Sequence, residues 1–238
     1  MTDRPSIAVV GTGPALGASV ARRFARENFT VAVMARKREH LDPVVEEIAA
    51  SGGRALAIPA DATNPASVNE AFRSCAAELG PPQVLVYNAG AFRPAGLLEI
   101  DPEEFQACWK ANCYGALLAA RQVLPEMLEQ GRGTIILTGA TAALRGSARF
   151  ANLAVGKFGL RALAQSMARE FGPSGIHVAH AIIDGQIDTP RLREMQPERA
   201  AETKLAPDAI AESYWQLHCQ DPTAWTLELD LRPAVEKF

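Results

Sequence analysis

Residues 7–17 read Ile7-Ala8-Val9-Val10-Gly11-Thr12-Gly13-Pro14-Ala15-Leu16-Gly17, an apolar run followed by a glycine-rich turn. Because glycine has no Cβ, such a turn lets a phosphate approach the first amides of the helix that follows. That helix is indicated by Leu16, Val20 and Phe24, which recur at helical spacing. The strand, turn and helix in this order predict a dinucleotide site. Its predicted contacts come from Gly11, Gly13, Leu16 and Gly17.

The composition limits the classes of protein to which the chain can belong. The 238 residues are 48% hydrophobic without a break in composition, so we expect one domain over residues 1–238. The net charge is −3 and the basic residues are scattered, which argues against nucleic acid or an anionic membrane as a partner. No apolar run is long enough to span a bilayer and no signal-peptide core precedes the first strand, so we expect a cytoplasmic protein. Metal-ligand spacing is absent among the cysteines, and we expect no metal site but reduced thiols at Cys75, Cys108, Cys113 and Cys219.

Apolar runs alternate with helical segments along the chain, a pattern typical of a parallel sheet covered on both faces. We predict an α/β fold with a Rossmann-type, doubly wound parallel sheet of about seven strands. The predicted strands span residues 6–10, 30–35, 55–60, 83–89, 133–138, 176–183 and 225–231. The predicted helices span residues 15–28, 38–50, 65–79, 102–130, 149–171 and 207–219.

One long stretch, residues 185–206, has no clear periodicity and carries Pro190, Pro197 and many charges. Irregular stretches of this length are either functional loops or solvated connections. We therefore expect either a mobile substrate lid over a cleft or a plain surface connection.

Cationic residues follow the second predicted strand, in the sequence Ala35-Arg36-Lys37-Arg38. An acidic residue at this place would bind the ribose 2′-hydroxyl of NAD, whereas Arg36 and its neighbours can pair with a 2′-phosphate. The alternative is the charged first turn of an exposed helix, but cations there oppose the helix dipole. The pattern favours NADP over NAD.

Polar residues also follow the third and fourth predicted strands. Asp61 and Ala62 come after the third strand, where Asp61 can accept from the adenine amino group or help to cap the next helix. Asn88 and Gly90 come after the fourth, where a buried amide needs partners and glycine permits close backbone approach. Both groups fit a cofactor site.

Further motifs stand in order along the rest of the chain. They are Tyr87-Asn88-Ala89-Gly90, Asn112, Lys157 and Asp184-Gly185-Gln186-Ile187-Asp188-Thr189. Together with the glycine turn, they resemble the short-chain dehydrogenase/reductase family over nearly the whole chain, although Val10 and Ala15 replace a threonine and a glycine of the family's turn. The resemblance implies that Asn112 holds a proton-relay water and that Lys157 binds the nicotinamide ribose. It also implies that the segment with Ile187 and Thr189 touches the nicotinamide amide, and that the long helices join copies into a homodimer or homotetramer.

The chain departs from the family at two catalytic positions. The family's tyrosine stands four residues before the lysine, and that position is Leu153; the position of its serine is Ala140. Leucine and alanine can neither donate nor accept a proton. Thr138 and Thr141 flank Ala140, and each either binds a substrate carbonyl or serves a structural bond.

Three other side chains near these motifs have two interpretations each. His180 is either a titrating group near the reacting centre or a hydrogen-bonded structural histidine. Tyr114 and Cys113 adjoin Asn112, and packing is the simpler role for both.

Three functions remain open from the sequence. The first is an atypical NADP(H)-dependent oxidoreductase for a small carbonyl, enone or imine, with Asn112, Lys157 and Thr141 at the reacting centre. The second is an inactive NADP(H)-binding sensor or scaffold, which the loss of the tyrosine and serine would suit. The third is a non-redox isomerase or lyase that uses the same cleft.

Overall fold

The structure is a computed structural model that describes residues 4–235. Its strands are β1 (Ser6–Val10), β2 (Thr30–Ala35), β3 (Arg54–Pro59), β4 (Val84–Tyr87), β5 (Gly133–Thr138), β6 (Ile176–Ile183), β7 (Gln186–Ile187), β8 (Lys204–Leu205) and β9 (Glu228–Leu231). Its α-helices are α1 (Leu16–Arg26), α2 (Asp42–Ala50), α3 (Pro65–Leu79), α4 (Pro102–Trp109), α5 (Gly115–Gln130), α6 (Ala151–Phe171), α7 (Pro190–Met195) and α8 (Pro207–His218).

Seven of the strands form one parallel sheet in the order β3-β2-β1-β4-β5-β6-β9. The predicted α/β fold and the seven strands are therefore confirmed. The strand order reverses between β1 and β4, because β2 and β3 lie on one side and the later strands on the other. Ligands of doubly wound sheets bind beyond the carboxyl ends of the strands at such a reversal.

The central strands are buried on both faces. Every residue of β1, β4 and β6 is buried, as expected for strands that helices cover from both sides. One apolar cluster joins α3, α5 and α6 to one face, through residues such as Phe72, Val123 and Leu160. A second cluster joins α1, α2 and α8 to the other face, through residues such as Phe24, Ile48 and Tyr214.

The predicted helix over residues 102–130 is divided in three. Between α4 and α5 lies a π-helical segment, Lys110–Tyr114, in which Asn112 is buried. The hydroxyl of Tyr87, at the end of β4, donates to the backbone oxygen of Ala111 over 2.7 Å. This bond ties the segment to the sheet, and π turns of this kind are frequent at functional sites.

The segment 185–206 is more regular than the sequence suggested. β7 pairs in parallel with β8, and α7 lies between them, with the Thr189 side chain accepting from the Leu192 amide over 3.0 Å. The expectation of an irregular stretch was therefore wrong, because this short sheet and capped helix satisfy the backbone locally. A lid function for the segment stays a prediction.

The predicted strand over residues 225–231 is shorter, since β9 begins at Glu228 and forms the sheet edge beside β6. Trp225 lies before it and stacks on His177, with ring centroids 4.9 Å apart. None of the helices within residues 4–235 has the length and apolarity that a bilayer crossing requires.

Candidate functional site

The turn after β1 requires glycine at two positions. Gly11 has φ +89°, and a Cβ there would lie 2.3 Å from the backbone nitrogen of Ala89. A Cβ at Gly17 would lie 2.7 Å from Cα of Thr12. A Cβ at Gly13 would meet nothing within 4 Å, so Gly13 borders open space. The turn is therefore pressed against β4 on one side and open on the other.

Side chains hold this turn in place. The hydroxyl of Thr12 donates to the oxygen of Val9 over 2.9 Å, and the amide of Asn88 donates to the oxygen of Gly11 over 3.0 Å. Asn88 follows β4, so its side chain ties the two strands at the reversal of strand order. The hydrogen bond gives Asn88 a structural role beside the predicted contact with a cofactor.

The first turn of α1 leaves its backbone amides without a partner from a side chain. Its N-terminus, at Ala15, has no side-chain cap, and no acidic residue lies in the first turn. Such an end carries partial positive charge from its unpaired N–H groups and attracts anions. Leu16 begins this helix with its side chain in the core, so only its backbone can contact a ligand.

A groove of about 1100 Å³ runs along the carboxyl ends of β1, β2, β3 and β4. Seven of the predicted cofactor residues line it: Gly11, Gly13, Arg36, Asp61, Ala62, Asn88 and Gly90. The other predicted residues do not line it: Leu16, Gly17, Lys157, Ile187 and Thr189. Gly17 and Leu16 lie beneath the turn, while Ile187 and Thr189 belong to the β7–α7 unit.

The cations after β2 divide into two groups. Lys37 pairs with Glu39 at 3.1 Å, and Arg38 pairs with Asp42 at 3.2 Å. Arg36 is exposed, lines the groove and has no carboxylate partner among residues 4–235. Lys37 and His40 also line the groove. The sequence pattern indicated these two residues only as neighbours of Arg36. This end of the groove is suited to a phosphate.

Asp61 is engaged in the turn that follows β3. Its Oδ1 accepts from the amide and the hydroxyl of Thr63, over 2.9 and 2.8 Å. Asn64 supplies the cap of α3, since its Oδ1 accepts from the amides of Ala66 and Ser67. The capping role considered for Asp61 is thus performed by Asn64, and a contact between Asp61 and adenine stays a prediction.

Two polar side chains meet beside Gly90 at the other end of the predicted site. A Cβ at Gly90 would lie 2.9 Å from Asn112 Oδ1 and 3.8 Å from Lys157 Nζ. The amide nitrogen of Asn112 donates to the oxygens of Ala91 and Cys108, over 2.7 and 2.9 Å, and its Oδ1 is buried without a partner in the described chain. Asn112 and Lys157, which lie 45 positions apart in the sequence, therefore face one small space.

Lys157 is a buried cation. Its Nζ donates to the backbone oxygen of Thr138 over 2.7 Å, and its side chain lies on the face of α6 that meets the sheet. Burial lowers the pKa of Lys157 to about 8, because removal from water disfavours the charged form. Lys157 therefore stays mostly charged at pH 7 but loses its proton at a lower pH than an exposed lysine does.

The hydroxyl of Thr141 is already used. It donates to Oδ1 of Asp184 over 2.5 Å, and the other oxygen of Asp184 lies 3.4 Å from the guanidinium of Arg232. The bond joins the turn after β5 to the end of β6. Thr141 therefore presents lone pairs rather than a proton, and its predicted bond to a substrate carbonyl would require this contact to break.

The first turn of α6 places a half-buried Leu153 where the family resemblance expects a phenol. The neighbouring Asn152 is buried and donates to the oxygen of Arg93 over 2.9 Å, while its Oδ1 has no partner in the described residues. Asn152 thus fixes the loop after β4 at Arg93. Asn112 fixes the same loop at Ala91, two residues before Arg93. The sequence placed Asp184 in a motif without giving it a role, and it gave no indication of a role for Asn152, for which a polar residue inside an apolar helix face is the available signal.

His180 is not hydrogen-bonded, contrary to the structural alternative in the sequence analysis. It is fully buried on β6, and neither ring nitrogen has a partner within residues 4–235. A Cβ at Gly139 would lie 2.3 Å from its Nε2, so the ring fills the space beside that glycine. Burial, with a smaller effect from the Lys157 charge, lowers the pKa of His180 to about 4, and the ring is neutral at pH 7.

The neighbours of Asn112 are used in packing. The ring of Tyr114 stacks on Trp109 with centroids 5.8 Å apart. A Cβ at Gly159 would lie 3.0 Å from the sulfur of Cys113, so this thiol packs against α6. Both agree with the simpler role that the sequence suggested.

The fold and the groove together define a class of protein. A parallel doubly wound sheet, a glycine turn at the strand reversal and an uncapped helix N-terminus above it are the features of dinucleotide-binding α/β proteins.

Comparison with known proteins identifies the family. The model of the short chain dehydrogenase family matches residues 5–200, and the chain belongs to this family. The short-chain reductase protein NovJ of Streptomyces niveus is 34% identical over 194 residues, which cover 81% of this chain and 73% of the relative.

Solved structures agree with this assignment. A short-chain dehydrogenase from Rhodopseudomonas palustris is 41% identical with a TM-score of 0.84, covering 96% of this chain and 98% of the other. A metagenomic short-chain oxidoreductase solved in complex with NADP is 26% identical with a TM-score of 0.83, and 98% of each chain is covered.

Proposed function

We propose that the chain is an atypical NADP(H)-dependent oxidoreductase that acts on a small carbonyl, enone or imine. The observation that carries the proposal is the groove at the strand reversal, with an uncapped helix end at one place and the unpaired Arg36 at another. The presence of NADP in the related metagenomic structure supports the same cofactor.

The residues present fit such a cofactor. Gly13 borders open space in the turn, which leaves room for a pyrophosphate beside the α1 amides, and Arg36 can pair with a 2′-phosphate. Asp61, Ala62, Asn88 and Gly90 line the path between them. Lys157 would bind the nicotinamide ribose, and the segment with Ile187 and Thr189 would close over the nicotinamide amide.

Bound NADPH supplies a substrate carbon with two electrons and one hydrogen. The chain's part is to orient the substrate and to deal with the proton, and here Leu153 and Ala140 provide no hydroxyl group. General acid catalysis is worth about 10²- to 10⁴-fold, or about 3–5 kcal/mol of barrier. An activated substrate such as an enone or an iminium tolerates that loss better than a simple ketone.

Cofactor binding is the first test. At a hundredfold excess over its Kd, NADPH should stabilise the protein by about 2.7 kcal/mol, which a thermal shift assay detects. Arg36→Asp should weaken NADPH more than NADH, because a carboxylate repels the 2′-phosphate. Arg26→Asp, an exposed exchange at the far end of α1, is the matched control. No stabilisation of the wild-type protein by NADPH would refute the proposal, and equal losses for both cofactors would remove the role of Arg36.

A second function is favoured by a specific observation. The absence of hydroxyl groups at Leu153 and Ala140 suits a protein that holds NADP(H) as a sensor or scaffold without turnover. Oxidation of NADPH with a panel of ketones, enones and imines separates the two functions. Turnover above that of Lys157→Met supports the oxidoreductase, whereas binding without any turnover supports the sensor.

A further inference from the structure

Two phenylalanine rings lie exposed where the loop after β4 meets the start of α6. Phe92, in that loop, is 41% exposed, and Phe150, the residue before α6, is 37% exposed. Their ring centroids are 4.6 Å apart, at an angle of 36°. We call these two residues the aromatic pair. Exposed apolar surface of this kind next to a cleft is typical of a place where a ligand binds.

The backbone on both sides of Phe92 is held by buried amide side chains. The amide nitrogen of Asn112 donates to the oxygen of Ala91 over 2.7 Å. The amide nitrogen of Asn152 donates to the oxygen of Arg93 over 2.9 Å. Both asparagines are at most 2% exposed, and burial of such polar groups is unfavourable unless they form hydrogen bonds. The position of Phe92 is therefore fixed from the interior of the protein although its ring lies at the surface.

The segment that carries Phe150 is held against the same loop. The amide of Ala95 donates to the oxygen of Arg149 over 3.2 Å, and the guanidinium of Arg149 lies 3.0 Å from the carboxylate of Glu99. Arg149 has φ +66°, a conformation that is unfavourable for a residue with a side chain. Strain of this kind persists only where the surroundings impose it, and here it directly precedes a ring that contacts Phe92.

The aromatic pair is continuous with the space that Lys157 faces. Because positions three and four apart in a helix share a face, Phe150, Leu153 and Lys157 form one row at the start of α6. Lys157 is at the inner end of the row, since its Nζ would lie 3.8 Å from a Cβ at Gly90. Leu153 is half-buried in the middle, and Phe150 is at the outer end. Apolar side chains thus lead from the cation to the surface.

The extent of the exposed surface indicates a small molecule as its occupant. With about 200 Å² for each phenylalanine side chain, the exposed fractions of the aromatic pair leave about 160 Å² open. A stable protein interface covers about 800 Å² on each partner. The open area is therefore suited to one ring of a ligand and not to a second protein.

From this geometry we infer that the aromatic pair binds an aryl ring of the substrate, which is then an aryl-substituted carbonyl, enone or imine. The inference rests on the proposed function, in which the substrate reacts beside Lys157. A planar ring packs well against Phe92 and Phe150, because aromatic rings favour offset-stacked and edge-to-face contacts. Leu153 contacts the apolar part of the substrate that joins this ring to the reacting carbon.

Three enones with the same but-3-en-2-one core test the inference. They carry phenyl, cyclohexyl or methyl at carbon 4, so phenyl and cyclohexyl have similar apolar size but only phenyl is planar and aromatic. Phe92→Leu and Phe150→Leu keep an apolar side chain and remove the ring. We expect each variant to lower the phenyl-to-cyclohexyl ratio of kcat/KM about two- to twelvefold, the range of one aromatic contact. Differences in intrinsic reactivity cancel because the same enones are compared in every protein.

Two control variants change exposed apolar residues outside the aromatic pair. Phe158→Leu is the same exchange at a 43% exposed position of α6, and Leu98→Ala changes the exposed tip of the loop that carries Phe92. Both should leave the ratio unchanged, and the NADPH thermal shift should be the same in all four variants. A ratio that stays unchanged in Phe92→Leu and Phe150→Leu, or that Phe158→Leu lowers equally, overturns the inference and leaves the proposed function intact.

A binding measurement separates the aryl site from the proposed function. Calorimetric titration of the phenyl enone into the protein, with and without NADP⁺, requires no turnover. We expect Phe92→Leu and Phe150→Leu to bind this enone more weakly than Phe158→Leu does. If NADPH is oxidised with none of the three enones, the oxidoreductase function is overturned. Equal binding of the phenyl enone by all variants, or no binding by the wild-type protein, overturns the aryl site.

Discussion

The burial of Lys157 predicts a stability that depends on pH in an unusual direction. The pKa of this lysine is lowered from 10.5 to about 8 by folding, so the unfolded chain binds more protons between these pH values. The free energy of unfolding should therefore rise with pH across this range. One pKa unit corresponds to about 1.36 kcal/mol, which gives a gain of about 3 kcal/mol between pH 7 and pH 10.5 for this group.

Substitution by methionine isolates the contribution of Lys157. Other groups titrate in the same range, but they cancel when wild-type and Lys157→Met proteins are compared at each pH. The bond to Thr138 is lost only in Lys157→Met and adds an offset to the difference, so only the change of that difference with pH is interpreted. We expect the stability of Lys157→Met, relative to that of the wild-type protein, to decline by about 3 kcal/mol from pH 7 to pH 10.5.

Urea denaturation of both proteins at pH 7, 8.5 and 10.5 measures this difference. Exchange of the exposed Lys37 for methionine is the control, and its stability difference should not change with pH. A difference between wild-type and Lys157→Met that stays constant would refute the view that the ammonium is desolvated, and with it the reason for a lowered pKa.

Three further substitutions test the site. Gly11→Ala should destabilise the protein by more than Gly52→Ala, because both glycines have positive φ but only Gly11 would press a Cβ on backbone; urea denaturation would contradict this if the two losses were equal. Leu153→Tyr should raise carbonyl reduction at least tenfold by restoring a phenol, with Leu153→Phe as the control; a folded variant without any gain means that the pocket has changed in other ways. Glu39→Gln should free Lys37 and tighten NADPH binding up to about fivefold, the range of an exposed ion pair, with Glu70→Gln as the control. An equal change for NADH would count against a phosphate at this place.

The sequence was informative wherever a short pattern determines a local structure. The apolar runs and the glycine turn predicted the seven-stranded sheet and the position of the groove, because buried strands and a turn against backbone tolerate few residue types. Arg36 and Asn88, which the sequence assigned to a cofactor site, both line that groove, and their contact with a cofactor stays a prediction.

Other features depend on contacts between distant segments. The bond from Thr141 to Asp184 and the bond from Asn152 to Arg93 join residues 43 and 59 positions apart, and no local pattern indicates them. The pairing of β7 with β8 is likewise not indicated by a local pattern, because each of these strands has only two residues. The sequence did not predict that the ring of His180 lacks hydrogen-bond partners within the described residues. The groups around this buried ring come from other segments of the chain, so its sequence neighbours give no indication of them.

The π-helical segment between α4 and α5 has the effect of a phase shift. One extra residue in a helical turn rotates everything after it by about 100° about the axis, relative to an uninterrupted α-helix. The buried positions Cys108, Asn112 and Ala116 nevertheless follow one another four residues apart, so one side of the chain stays on the core through all three segments. Asn112 points inward at the middle of that side, where its amide nitrogen donates to the loop oxygen of Ala91.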